Sequence, residues 1–243
     1  MAKANNKIDF LNSKCLNIFT DASTENISKS ESDNSKVRAV AACSARAGKY
    51  TIEQEELFLN NVSNCEAELY ALLLGIKLAK KYKNKYTHIR IFSDSQYAVN
   101  IVRKWIIKWV KDTEGGINVF GANGTLKNQF LILDIIYTIL YNDIPLEFYH
   151  IKSHTNIKNP GGVEVFKTSF AELNSTSIRL DNITAYYLIL GNKEVDSLAT
   201  HLLYMSLHNK AIKNICHENL VTVGYKNIDL NKYQKLVNCC YEE

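Results

Sequence analysis

Four acidic residues stand out because of where the sequence places them, two at the ends of strand-like segments and two on the apolar faces of helical segments. Asp21 and Asp94 each close a short β-rich segment, CLNIFTD and HIRIFSD. Glu68 and Asp196 lie in helical segments, where 3.6-residue periodicity puts each on a face of apolar or small side chains. Either aspartate alone could be an ordinary Asx-turn or helix N-cap residue. The four together predict one acidic site.

Carboxylates that converge at a sheet edge predict a metal centre. They repel one another, and each is costly to bury without a counter-charge. Divalent cations remove both costs, and hard oxygen ligands suit Mg²⁺, with Mn²⁺ as a substitute. Two such ions about 4 Å apart can activate water and stabilise the leaving oxygen of a phosphodiester. The expected cofactor is therefore a pair of Mg²⁺ ions.

The segment CEAEL contains two glutamates, of which only one can reach such a site. Glu66 and Glu68 are two residues apart, so their side chains would point about 200° apart on a helix. Glu66 aligns with lysines further along the helix. The residues that align with Glu68 are small or apolar, namely Ala71, Leu72, Gly75 and Ala79. Small residues would let the helix lie close to the sheet, so we expect Glu68 to be the ligand.

The patterning predicts the scaffold that positions these acids. Three alternating segments precede helices and strands in the order β-β-β-α-β-α-α-β-α, which indicates an α/β fold with a mixed five-stranded sheet flanked by helices. We expect a polar leader at 1–13 and a catalytic domain at 14–207. Within it, 155–190 is interpreted as an insertion without a clear element outside ITAYYLIL, and residues 158–188 as a loop that can be shortened. Residues 208–243 form a C-terminal extension.

Charge and composition favour a nucleic-acid partner and argue against a membrane. The formal net charge is only +4. However, residues 77–90 and 103–111 are basic runs with interleaved aromatics, which suit a phosphate backbone or, alternatively, a solvated helix face. The six cysteines lack zinc-ligand spacing. The beginning of the chain lacks the apolar core of a signal peptide, and no apolar run is long enough to span a bilayer. We expect a soluble intracellular monomer.

The acidic motifs resemble those of type 1 ribonuclease H, and they occur in the family's order over roughly residues 14–205. The matching segments are FTDAS (19–23), AEL (67–69), SDSQY (93–97) and GNKEVDSLA (191–199). WIIKWVKD (105–112) looks like the family's basic protrusion, LKN (126–128) resembles the segment after it, and IKSH (151–154) is similar to the loop that carries a mobile histidine.

The resemblance implies a ribonuclease H-like fold and an endonuclease that hydrolyses the RNA strand of RNA–DNA hybrids with two metal ions, leaving 3′-hydroxyl and 5′-phosphate ends. It implies that Asp21, Glu68, Asp94 and Asp196 bind the metals, and that His154 assists proton transfer or product departure. The residues that it places against the nucleic acid are Asn64, Gln96, Lys104, Trp105, Lys108, Trp109, Lys127 and Asn128.

Some features depart from the family pattern, and other functions stay open. Ala22 stands where the family commonly has glycine, and 41 residues separate His154 from Asp196. His154 could be an ordinary loop histidine, and the tryptophans could be core anchors. The alternatives are a DNA-acting integrase or junction resolvase, a reverse-transcriptase fragment, and a binding module without activity. The tryptophan-rich protrusion and SDSQY argue against the DNA-acting enzymes.

Overall fold

The computed structural model of the protein describes residues 8–26, 37–113, 116–121, 124–126, 128–208 and 228–237. Its strands are β1 (Cys15–Asn26), β2 (Val37–Ala47), β3 (Tyr50–Val62), β4 (His88–Ser93), β5 (Val110–Thr113), β6 (Gly116–Gly121), β7 (Gly124–Thr125) and β8 (Glu147–His150). Its α-helices are α1 (Asn64–Tyr82), α2 (Gln96–Asn100), α3 (Ile106–Trp109), α4 (Gln129–Tyr141), α5 (Pro160–Asn174), α6 (Asn182–His208) and α7 (Leu230–Val237). A π-helical turn, Ile101–Trp105, joins α2 to α3.

The predicted mixed five-stranded sheet is confirmed. Its strand order is β3-β2-β1-β4-β8. The first three strands are antiparallel, whereas β1, β4 and β8 run parallel. β1 does not end at Asp21 as expected, because its ladder with β2 continues as far as the pair of Asn26 and Val37.

One face of the sheet is covered by α1. Ser63 is its N-cap, and Glu66 completes a capping box with it. The buried side of α1 packs on the strands together with α4. The principal core therefore lies between the sheet and these two helices.

The other face is covered by α6 and by the segment that was expected to be an insertion without clear structure. That segment contains all of α5, and α6 begins at Asn182 rather than near residue 192. Phe166, Phe170 and Leu188 are fully or almost fully buried in a second core on this face. Residues 158–188 thus contain a helix and side chains of the second core, where the sequence suggested a surface loop. No helix in the described ranges is both long and apolar enough to cross a bilayer.

Two further differences concern the chain beyond α2. The segment 105–112, which resembles the family's basic protrusion, is helical only as far as Trp109, and the chain then enters a small antiparallel sheet of β5, β6 and β7. The C-terminal extension contributes α7, whose Tyr233 is fully buried and donates a hydrogen bond to the Val102 carbonyl oxygen at 3.0 Å. This part of the extension therefore belongs to the principal core.

Candidate active site

Three of the predicted acids meet at one edge of the sheet. Asp21, Glu68 and Asp94 each place one carboxylate oxygen within 4.8 Å of the other two. β1 and β4 pair in parallel as far as Thr20 and Ser93. Asp21 and Asp94 are the next residues along these neighbouring strands, so both side chains emerge at the same edge. The cap of α2 is Ser95, whose side chain accepts from the Ala98 N–H, so Asp94 is not the N-cap residue of the alternative interpretation.

The helix phase predicted for α1 is also confirmed. A Cβ on Gly75 would lie 2.7 Å from Thr20 Cγ2, so the helix packs too close to β1 for any larger residue there. This brings Glu68 to the two aspartates. Its Oε2 atom is buried and has no hydrogen-bond partner in the described part of the protein. Glu66, by contrast, accepts from the Ser63 N–H at the start of the helix, at 3.3 Å.

The electrostatics of this cluster fit a cation. Burial raises the pKa of Glu68 to about 9, and repulsion from Asp21 and Asp94 adds to it. Burial likewise raises the pKa of Asp21 to about 8, with further repulsion from Asp94 and Asp196. The pKa of Asp94 is raised by burial, and the nearby Asp196 carboxylate also acts in that direction. Without a cation the cluster holds protons near neutral pH, and a divalent ion would displace them.

The fourth acid, Asp196, stands slightly apart on α6. It is close enough to raise the pKa of Asp21 and of Asp94, but it is not a member of the group whose oxygens lie within 4.8 Å. One helical turn earlier, buried Asn192 donates from Nδ2 to Asp94 Oδ2 at 3.3 Å. Asn192 was not among the predicted site residues, although its i, i+4 spacing from Asp196 places both on one helix face.

Two histidines flank Asp94. His154 is exposed in the loop after β8, has a positive φ of 49°, and lies near enough to lower the pKa of Asp94. His150 was not predicted as a site residue. Its Nε2 lies 3.1 Å from the Asp94 carbonyl oxygen, and burial lowers the pKa of its ring. The signal for His150 was its position at the end of a strand, as for Asp21 and Asp94.

The predicted nucleic-acid contacts fall into an exposed group and a packed group. Asn64, Gln96, Lys104 and Lys108 are exposed, and the first two begin α1 and α2 beside the acids. Trp105 and Trp109 are half-buried, pack against the principal core and contact each other at a ring-centroid distance of 5.0 Å. Asn128 is also half-buried and is hydrogen-bonded to the Tyr97 hydroxyl. Lys127 lies outside the described residues.

Two side chains of the basic run 77–90 form contacts within the protein. Lys81 forms an ion pair with Glu53. Arg90 is buried and donates from Nε to Glu147 Oε2 at 3.0 Å. Lys81 and Arg90 thus pair with acidic side chains of the protein itself. Ala22, the departure from the family pattern, packs partly against the principal core and donates its N–H to Asp21 Oδ1 at 2.8 Å.

Comparison with known proteins places this site in a family. The sequence model of the family described as "RNase H" matches residues 13–165, which is more than half of the chain. The match includes Asp21, Glu68 and Asp94. The chain belongs to the RNase H family. The matched range ends before Asp196, so the fourth acid rests on the motif and on its position in α6.

This RNase H family protein is similar to individual proteins in both sequence and structure. It is 34% identical over 96 residues to Ribonuclease HI of Haemophilus ducreyi (strain 35000HP / ATCC 700724). The aligned region covers 38% of this chain and 54% of the relative. The chain thus spans about half the length of that curated relative. Among solved structures, the PFV RNase H domain superposes with a TM-score of 0.51 at 20% identity, covering 78% of this chain and 94% of that one.

A second structural match is the foamy viral protease–reverse transcriptase in complex with an RNA/DNA hybrid. It superposes with a TM-score of 0.52 at 17% identity and covers 84% of this chain but 22% of that one. At these identities the two structures show a shared fold and no more.

Proposed function

We propose that this protein is a metal-dependent nuclease that hydrolyses the RNA strand of RNA–DNA hybrids, leaving 3′-hydroxyl and 5′-phosphate ends. The observation that carries the proposal is the convergence of Asp21, Glu68 and Asp94 within 4.8 Å in a chain of the RNase H family. The relative named Ribonuclease HI supports the same activity.

The residues of the site fit divalent cations. A buried carboxylate oxygen without a hydrogen-bond donor, as at Glu68, is costly unless a cation meets it. Asp21, Glu68 and Asp94 would hold Mg²⁺, and Asp196 would complete the ligand set for a second ion. When bound, two such ions would activate water and stabilise the leaving oxygen of the phosphodiester.

The residues next to the acids would orient their carboxylates and take part in proton transfer. Asn192 fixes one carboxylate oxygen of Asp94 through its Nδ2 donor. His154, in its exposed loop beside Asp94, would exchange a proton with the departing product. Asn64 and Gln96 stand at exposed helix starts near the acids, where they can contact 2′-hydroxyls across a minor groove. Contacts of that kind would select RNA over DNA without reading base sequence.

The test uses three labelled substrates, namely an RNA–DNA hybrid, duplex DNA and duplex RNA, each with Mg²⁺, Mn²⁺ or excess EDTA. We expect cleavage of the hybrid RNA strand with either metal, little action on duplex DNA, and none in EDTA. Equal cleavage of duplex DNA would favour the integrase or resolvase alternative. Hybrid binding without cleavage under any metal condition would favour a binding module.

A matched pair of variants tests the assignment of the site. Glu68→Gln removes a charge that the metals require, so we expect activity to fall roughly a hundredfold or more. Glu66→Gln keeps the capping box, because glutamine also serves at that position, and should leave activity within about twofold of wild type. The reverse order of effects would show that the helix phase and the motif register are both wrong.

A further inference from the structure

The edge of the sheet at which Asp21 and Asp94 emerge is called the catalytic edge below. Helix α5 reaches it through one buried residue, Asn174, which is the last residue of α5. β8 is the edge strand of the five-stranded sheet, next to β4. At its last residue, the His150 N–H donates to Asn174 Oδ1, and Asn174 Nδ2 donates to the His150 carbonyl oxygen, both at 2.8 Å. The side-chain carboxamide thus takes the place that a neighbouring strand's peptide would fill.

His150 in turn contacts the main chain at Asp94. Its ring Nε2 lies 3.1 Å from the Asp94 carbonyl oxygen, and the Ile151 N–H donates to the Ser93 carbonyl oxygen at 3.0 Å. The loop that carries His154 begins directly after these residues. A carboxamide that fixes the end of β8 therefore fixes the main chain beneath Asp94 and the start of the His154 loop.

Asn174 also holds the base of the basic protrusion, residues 105–112. Arg103, in the π-helical turn that leads into it, donates to Asn174 Oδ1 and to the Asn174 carbonyl oxygen, both at 3.1 Å. The remaining carboxamide contact is from Nδ2 to the Phe170 carbonyl oxygen at 2.9 Å. Asn174 is fully buried, and its carboxamide makes two donor and two acceptor contacts, so it has no spare capacity for water.

We propose that Asn174 is a positioning residue, through which the α5 segment fixes the geometry between the basic protrusion and the catalytic edge at Asp94 and His154. This inference rests on the proposed function, since it concerns the same reaction. It assigns to the segment between His154 and Asp196 a role in turnover as well as in packing.

The test compares Asn174→Ala with Asn17→Ala as a matched control. Asn17 is equally buried, and its Nδ2 donates to the Phe10 carbonyl oxygen and to the Tyr187 hydroxyl, but it lies four residues before Asp21 in β1. Both variants should lower the Tm. At a temperature where both remain folded, we expect kcat on the hybrid to fall roughly tenfold for Asn174→Ala and to stay within about twofold for Asn17→Ala.

The variant Asn174→Asp distinguishes the contact with Arg103 from the contact with the main chain of His150. Asn174→Asp keeps the acceptor that Arg103 uses but places an oxygen against the His150 carbonyl oxygen. We expect this variant to lose kcat while KM stays near wild type, whereas Asn174→Ala should also raise KM. Equal kcat in wild type and Asn174→Ala, or an equal loss of kcat in Asn17→Ala, would overturn the proposal.

Hydrogen exchange keeps this inference separate from the proposed function. Amides of residues 150–154 and 101–105 should exchange faster in Asn174→Ala than in Asn17→Ala. If the wild-type protein does not cleave hybrids, the proposed function fails while this measurement still decides whether Asn174 links the two regions. Unchanged exchange in both regions would overturn the positioning role.

Discussion

Replacing Glu68 by glutamine should stabilise the metal-free protein at alkaline pH while destroying its metal site. The folded state keeps the Glu68 proton until about pH 9, because burial and the neighbouring aspartates raise its pKa from 4.5. The unfolded chain releases that proton near its ordinary pKa. Folding therefore binds a proton between these limits, and the wild-type protein loses stability as the pH rises through them.

The magnitude follows from this window. While one proton is bound by the folded state alone, each rise of one pH unit lowers the free energy of unfolding by about 1.4 kcal/mol. Between the unfolded-state pKa of 4.5 and about pH 8, the wild-type protein therefore loses at most about 5 kcal/mol of stability through Glu68. Burying a neutral amide at the same place has its own desolvation cost, which offsets much of this gain. We expect Glu68→Gln to be more stable by about 2 kcal/mol at pH 8, or roughly 4–8 °C in Tm for a chain of this size.

The assay is thermal unfolding followed by circular dichroism, in EDTA, at about pH 5 and about pH 8. Near pH 5 the contribution of this proton to the difference should fall below about 1 kcal/mol, since that pH lies only about half a unit above the ordinary pKa of 4.5. Mg²⁺ at a hundred times its dissociation constant stabilises a binding protein by about 2.7 kcal/mol, and it should raise the Tm of wild type much more than that of Glu68→Gln. Glu66→Gln should follow wild type under each condition.

One result would refute this reasoning. If Glu68→Gln in EDTA is less stable than wild type at pH 8, or if their difference does not change with pH, then Glu68 is not a buried acid held among like charges. The carboxylate would instead have a partner that stabilises its charged form in the absence of metal.

Two further predictions concern the substrate surface and the second core. Replacing Lys104 and Lys108 by alanine should lower the salt slope of hybrid binding, measured by fluorescence anisotropy, by about 0.9 for each phosphate that a lysine no longer neutralises; an unchanged slope would show that these lysines do not touch phosphate. Phe170→Ala should lower the free energy of unfolding by about 3–5 kcal/mol because Phe170 is 1% exposed, whereas Val165→Ala, at a position 51% exposed, should change it by less than about 0.5 kcal/mol in denaturant titrations.

The parts of the site that the sequence could predict are those recorded in short-range patterns. Asp21 and Asp94 follow β-rich segments, and parallel pairing then places both at one edge of the sheet. Glu68 follows from helical periodicity and from the small residues on its face, including Gly75. In each case the local pattern fixes the direction of the side chain, and only the adjacency of β1 and β4 had to be inferred.

Helices α5 and α6 were missed or shortened for identifiable reasons. Pro160 and the two glycines after it favour a turn, but Asn159 accepts from the Gly161 N–H as an N-cap and proline is suited to the first helical turn. In α6, Ile183, Tyr186 and Leu190 are apolar yet 71%, 38% and 45% exposed. They remove the polar face by which an amphipathic helix is recognised.

Interactions between distant residues leave no such local signal. Asn174 pairs with the main chain of His150 across 24 residues, and Tyr233 reaches the π-helical turn across 131 residues. Neither side chain belongs to a periodic pattern that reveals its partner. The contribution of the extension to the core, and of α5 to the catalytic edge, therefore became visible only in the folded structure.

The spacing between layers explains how acids from both faces of the sheet reach one edge. A Cβ on Gly75 of α1 would lie 2.7 Å from the Thr20 side chain, and a Cβ on Gly191 of α6 would lie 2.3 Å from the Phe19 ring. These two β1 residues directly precede Asp21 and point to opposite faces. Each helix is therefore held against β1 by a glycine near its own acid. A larger residue at either position would move a helix outward and draw its carboxylate away from Asp21, so the packing of β1 and the assembly of the site are one structural requirement.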